Sequence, residues 1–197
     1  MKNGLSFLIA AALVVAFAFV LIPGSASAEI QIPEWEKDWN RKQPPEKVMD
    51  SIGIKPGMTI AEIGAGTGRY AIQVSMRVGE KGKVYANDID SSALKELRHR
   101  CKRDGINNIE TVLGTLTDPK LPKGKIDFIF FINTYHHIDQ PVKLLKNAIA
   151  ALKPNGKMVI IEHTLKKSGW INHSTPKETV LKNASDAGLT LIRIETF

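Results

Sequence analysis

The sequence predicts an α/β fold, a doubly wound and mostly parallel sheet with helices on both faces. Three observations carry this. From residue 44 onward short apolar runs alternate with segments of helical period, which is how strands joined by crossover helices read. A glycine-rich turn, Gly64-Ala65-Gly66-Thr67-Gly68, closes the first apolar run and opens the first long helix. Later helices carry their own start and stop residues, with prolines near their beginnings and glycine after their ends.

Taken in order, a short helix over 45–52 opens on Pro45 and leads into a strand over 59–63. A helix over 68–78 and a strand over 83–87 follow, then a helix over 92–103 in which Leu94, Leu97 and Cys101 recur at helical spacing. That stripe puts the lone cysteine of the chain on a buried face, as core filler rather than as a nucleophile. Strands over 109–113 and 126–132 precede a helix over 141–152, whose Leu144, Leu145, Ala148, Ile149 and Leu152 form one stripe before the turn Lys153-Pro154-Asn155-Gly156. A strand over 157–162, a helix over 176–187 and a sixth strand over 189–196 complete the pattern. Thr175, Pro176 and Glu178 read as a capping box and Gly188 as a left-handed stop.

Ahead of this domain, Lys2 and the apolar run Leu5 to Ile22 lead to Pro23, Gly24 and Ser25-Ala26-Ser27-Ala28. This is the form of a secretory leader cut after Ala28; an uncleaved membrane anchor is the other reading of so long an apolar run. Either way the folded domain is expected outside the cytoplasm, periplasmic or extracellular, because acidic Glu29, Glu34 and Glu36 follow the run and the basic end precedes it. Residues 29–44 form a separate segment in which Trp35 and Trp39 stand one helical turn apart, as cover for the flank of the core or as a lid over a cleft. The net charge of +7, or +6 once Lys2 is lost, is scattered without a basic block. That predicts a solvated basic surface, no nucleic-acid partner, and membrane contact only through that surface or the leader.

The glycine turn is the informative stretch. A strand before it, a helix after it, and Asp88 at the end of the second strand place glycine backbone and a ribose-binding carboxylate at one crevice. Nicotinamide dinucleotides and S-adenosylmethionine both fit such a crevice. A dinucleotide fingerprint would need a glycine where Arg69 stands; instead the third glycine falls one place early, at Gly68, and acidic Glu62 lies two places before Gly64.

In this detail the sequence resembles the class I S-adenosylmethionine-dependent methyltransferases, whose first motif reads acidic-x-Gly-x-Gly-x-Gly. The resemblance extends through the run 126–133 with Thr134-Tyr135-His136-His137-Ile138, and through the Leu-Lys-Pro-Asn-Gly turn at 152–156. It implies a Rossmann-like methyltransferase fold with S-adenosylmethionine as cofactor. Gly64, Gly66 and Gly68 would line its methionine moiety, with Glu62 at the amino end or ordering the loop. Asp88 would hold the ribose hydroxyls and Ile89 would pack on adenine. Two departures stand out. Thr115 replaces the carboxylate that many relatives use on the adenine amine, leaving a neutral hydrogen bond there or backbone near Leu116. And the seventh, antiparallel strand that closes the family's sheet has no counterpart before Phe197.

Methyl transfer from a sulfonium asks the protein mainly for alignment and desolvation, and for a base only where the acceptor is protonated. The strand ends facing the cofactor offer Asn133, Tyr135, His136 and His137, then Glu162 and His163. His136 is the first candidate for the base, since imidazole titrates in the useful range; Tyr135 joins it as a catalytic candidate, and Asn133 or Tyr135 would orient cofactor or acceptor. An Asn/Asp-Pro-Pro-Tyr signature for amine acceptors is absent. His163 and His173 lack metal-ligand spacing, so no metal is expected. The expected acceptor is a small molecule or lipid. A degenerate or truncated nucleotide-binding scaffold and a nicotinamide-dependent oxidoreductase are the alternative readings.

Overall fold

The computed structural model describes residues 30–162 and 174–196. The leader expected over 1–28, His163 and His173 lie outside the described residues. Two helices, α1 (Glu34–Lys42) and α2 (Pro45–Ile52), precede β1 (Thr59–Ile63), α3 (Arg69–Val78), β2 (Lys83–Asp88), α4 (Ser91–Arg103), β3 (Ile109–Leu113) and β4 (Ile126–Ile132). A single 3₁₀ turn (Tyr135–His137), α5 (Pro141–Ile149), β5 (Leu152–Ile161) and α6 (Lys177–Asp186) follow.

The five strands form one sheet in the order β3-β2-β1-β4-β5, every pairing parallel. The order reverses direction at β1, where the chain passes from β1 to β2 on one side and β4 takes the other. This is the switch point at which open α/β sheets bind ligands. Alternation along β4 splits the core: Phe128, Phe130 and Ile132 face α2, α3 and α4, while Ile129 and Phe131 face α5 and α6. Cys101 lies in the first of these cores, on α4 as its spacing predicts, and burial pushes its thiol pKa up. The fold is the Rossmann-like methyltransferase fold, with the expected strands at β1, β3 and β4 residue for residue.

Four expectations are corrected. Residues 189–196 form no strand: no described strand lies alongside to supply a ladder, and Leu191, Ile192 and Ile194 are 57%, 71% and 54% exposed. The helix predicted to reach residue 152 ends at Ile149, because Leu152 pairs with Ile126 and starts β5 five residues early, with the Lys153–Gly156 stretch absorbed as a register irregularity. Pro154 is tolerated there because β5 has a described neighbour only on the β4 side. The capping box at Thr175 does not form; Pro176 itself is the N-cap of α6 and no side chain caps it, while Gly188 does take the left-handed φ of +93°. Finally, Trp35 and Trp39 do not cover the core: they are 51% and 39% exposed, and α1 buries Glu36 instead.

Candidate functional site

The glycine turn crosses the switch point with Gly64, Gly66 and Gly68 at φ +78°, +52° and +92°, a region that disfavours any side chain. Space demands glycine at two of them. A Cβ on Gly64 would stand 2.1 Å from Thr134 Cγ2, and one on Gly68 would stand 2.2 Å from Leu97 Cδ1. The backbone N–H groups of Gly64 and Ala65 donate to the Asn87 carbonyl at 2.9 Å, and the Gly66 N–H donates to Asp88 Oδ2 at 2.7 Å. Asp88 Oδ1 accepts the Asp90 N–H at 2.9 Å. Each oxygen keeps a lone pair for a diol, so Asp88 orders the turn and can still receive a ribose.

Beyond Asp88 the mouth is apolar. Ile89, Leu113 and Leu116 are all more than half solvent-exposed or close to it, at 56%, 50% and 58%, and Leu113 pairs in register with Asp88. Thr115, the expected adenine contact, is occupied by its own loop: its Oγ1 accepts the Asp118 N–H at 3.0 Å and its N–H donates to the Asp118 carbonyl at 2.8 Å. A hydroxyl closing a turn in this way shapes the rim.

At the other end of the crevice, Glu62 is 4% exposed, its Oε2 has no hydrogen-bond partner among the described residues, and burial drives its pKa up to about 8 against the pull of Arg69. Arg69, the first residue of α3, donates to Asn40 Oδ1 and Gln43 Oε1, both at 3.0 Å, and to no carboxylate among the described residues. Gln43 Oε1 also accepts Asn133 Nδ2 at 3.1 Å. Asn133 has a left-handed φ of +51°, and its Oδ1 is buried without a partner among the described residues. Arg69, hydrogen-bonded to amide oxygens and to no carboxylate among the described residues, thus lies by two buried oxygens, Glu62 Oε2 and Asn133 Oδ1, that keep hydrogen-bonding capacity to spare.

Asn40 and Gln43 were not singled out by sequence reasoning, and Arg69 entered it only as the residue standing where a dinucleotide fingerprint needs glycine. Arg69 stood in the motif, but its partners lie on a segment whose tryptophans drew attention away from its amides. Glu36 was also missed. On α1 it meets Arg100 of α4 through a bidentate pair at 2.5 and 3.0 Å, the side chains 1% and 4% exposed. Arg100 also donates to the Thr67 carbonyl at 2.8 Å. A charged pair buried so deeply ties α1 to the glycine turn.

The ends of β4 and β5 bring His136 and Glu162 together. Nδ1 of His136 lies 2.9 and 3.1 Å from the Glu162 oxygens, and the His136 backbone N–H donates to Oε1 at 3.2 Å. The His137 ring lies with its centroid 4.1 Å from that of His136, tilted 50° to it. Tyr135 goes elsewhere, which corrects its assignment as a catalytic or orienting group. The 3₁₀ turn aims it into the core, 2% exposed and edge-on to Phe131 at 6.0 Å, and burial raises its pKa.

Known proteins resemble this chain in sequence and fold. Residues 60–156 match the family model described as a methyltransferase domain. The chain is 29% identical to a solved S-adenosylmethionine-dependent methyltransferase from Aquifex aeolicus, covering 83% of this chain and 91% of that one with a TM-score of 0.72. Haemonchus contortus phosphoethanolamine N-methyltransferase 2, solved with S-adenosyl-L-methionine, is 22% identical over 76% of this chain and 36% of that one, with a TM-score of 0.62, a likeness of fold. Among curated proteins it is 30% identical over 115 residues to the ubiquinone/menaquinone biosynthesis C-methyltransferase UbiE of Salmonella arizonae. That match covers 58% of this chain and 46% of the relative, so the chain spans about half the length of the curated relatives it matches.

Proposed function

From the premise that this chain carries a class I S-adenosylmethionine-dependent methyltransferase domain, with S-adenosylmethionine as its cofactor, we propose that it methylates a small-molecule or lipid acceptor of the hydroquinone kind. The observation that carries the reading is the crevice itself. Its carboxylate, glycine backbone, apolar rim and Arg69 cluster follow the cofactor from ribose to adenine on one side and from ribose to amino acid on the other. An acceptor of the quinone type, taken here in its reduced form, is suggested by the name of the curated relatives, a ubiquinone/menaquinone biosynthesis C-methyltransferase.

The residues divide the work by chemistry. Asp88 takes the ribose hydroxyls, and Ile89 with Leu116 covers the adenine. Arg69 receives the carboxylate of the amino-acid end, while Glu62 and Asn133 Oδ1 accept its ammonium. The bound cofactor supplies an electrophilic methyl group on a sulfonium, so the protein's remaining task is to align the acceptor in line and keep water away. Where the acceptor carries a proton, His136 is the base within reach of the crevice.

The test is transfer of radiolabelled methyl from S-adenosylmethionine to reduced 1,4-naphthoquinone by the full chain, with label followed into organic solvent. We expect label in the extract, lost when Asp88→Ala removes the ribose contact. Cofactor bound and acceptor present without transfer would exclude the hydroquinone class.

A further inference from the structure

We propose that Gln43 is a positioning residue for the cofactor's ammonium: it holds the Asn133 side chain so that Oδ1, and not the amide nitrogen, is offered to the amino-acid end of the crevice. This rests on the reading that S-adenosylmethionine occupies the crevice, and it brings in a residue ahead of the stretch 60–156 that the methyltransferase-domain model matches. Donors and acceptors fix the orientation. Arg69 Nη2 donates to Gln43 at 3.0 Å; the arginine fork carries donors and no acceptor, so the Gln43 atom facing it is the carbonyl oxygen. That oxygen can only accept. The Asn133 atom 3.1 Å from it is therefore the amide nitrogen, which leaves Oδ1 on the opposite arm of the amide. Oδ1 is buried and has no partner among the described residues, a costly state that a donor from a ligand relieves.

The surroundings hold both amides in place. Asn133 keeps a left-handed φ of +51° directly after β4, a conformation that a residue with a side chain adopts only where its neighbours enforce it. Its N–H donates to the Ile161 carbonyl at 2.9 Å, and the next residue, Thr134, donates from Oγ1 to the Gly64 carbonyl at 3.3 Å, so the amide stands beside the glycine turn. Gln43 is the C-cap of α1, whose Glu36 is pinned to Arg100, and Pro44 and Pro45 restrict the chain as it leaves. Asn40, one turn earlier, takes the other terminal nitrogen of Arg69 at 3.0 Å. Gln43 thereby gives the site its polarity. With the Asn133 amide reversed, its nitrogen would take the place of Oδ1 and welcome the carboxylate of the amino acid; as held, the oxygen selects the ammonium, whose N–H groups make the stronger, charge-assisted bond. Gln43 needs to touch no part of the cofactor to do this.

The experiment titrates the full chain calorimetrically with S-adenosylhomocysteine as reference, with its decarboxylated analogue, which keeps the amine, and with 5′-methylthioadenosine, which has neither amine nor carboxylate. The native chain should bind the amine analogue at least about 10-fold more tightly than 5′-methylthioadenosine. In Gln43→Met that margin should shrink about 10-fold, with the affinity for 5′-methylthioadenosine unchanged. Gln43→Glu keeps an accepting oxygen for the Asn133 amide and should restore the margin. A Gln43→Met chain that keeps the native margin overturns the proposal, as does one that weakens all three ligands alike, the mark of a merely structural role. Independently of any variant, the Asn133 side-chain carbonyl signal in the 13C spectrum of the native chain should move on adding the amine analogue and stay with 5′-methylthioadenosine. A signal indifferent to the amine overturns the proposal whether or not the variants fold. A native chain that binds all three ligands without preferring the amine contradicts this inference and leaves the cofactor reading standing; a folded chain that binds none of them contradicts both.

Discussion

At the scale of single residues, Gly64 and Glu62 show how closely fold and site share atoms. A methyl group at Gly64 meets the Thr134 side chain inside contact distance and also holds a left-handed φ. Gly64→Ala should therefore destabilise the chain by about 1–3 kcal/mol and weaken S-adenosylmethionine binding, as urea unfolding and calorimetry would measure. Glu62 makes a prediction in pH. Its folded pKa of about 8 lies above the ordinary 4.5, so the cofactor-free folded chain keeps a proton that the unfolded chain releases. Stability should fall as pH rises from about 4.5 to about 8 and level off above. Glu62→Gln should flatten that slope in urea midpoints taken at pH 5, 6.5 and 8. A slope that persists in Glu62→Gln would assign the proton to another group.

Among the elements, α1 is where sequence and structure part most. Its tryptophan spacing suggested apolar cover, yet the helix is seated by a buried ion pair, Glu36 to Arg100. Nothing in a one-letter string marks which of the six charged residues of α1 will be buried, because the partner lies 64 residues away. Removing one member strands a buried charge, so Glu36→Leu alone should cost about 3–5 kcal/mol. The pair Glu36→Leu with Arg100→Met should recover most of it in urea unfolding. Equal losses in the single and double variants would mean that α1 is held by something else. The same gap explains Tyr135 and Thr115. Both sit where the family motif puts functional groups, but a 3₁₀ turn sends one into the core and a side-chain-closed turn occupies the other.

For the whole molecule, the parts written in local pattern were legible: three strands to the residue, the glycine turn, Asp88 at the end of β2, and Cys101 inside. Parts that depend on a neighbour in space were not. Leu189 to Thr196 alternates like a strand, but a strand exists only against a partner. The hydrogen-bonded cluster of Arg69, Gln43 and Asn133 is likewise assembled from three separate stretches of chain. The claim on which the rest depends is that this crevice holds S-adenosylmethionine. Calorimetric titration of S-adenosylmethionine into the full chain, with Asp88→Ala as the control, tests it most directly. Micromolar binding that the substitution abolishes is the predicted result; a folded chain that takes up no S-adenosylmethionine would contradict it.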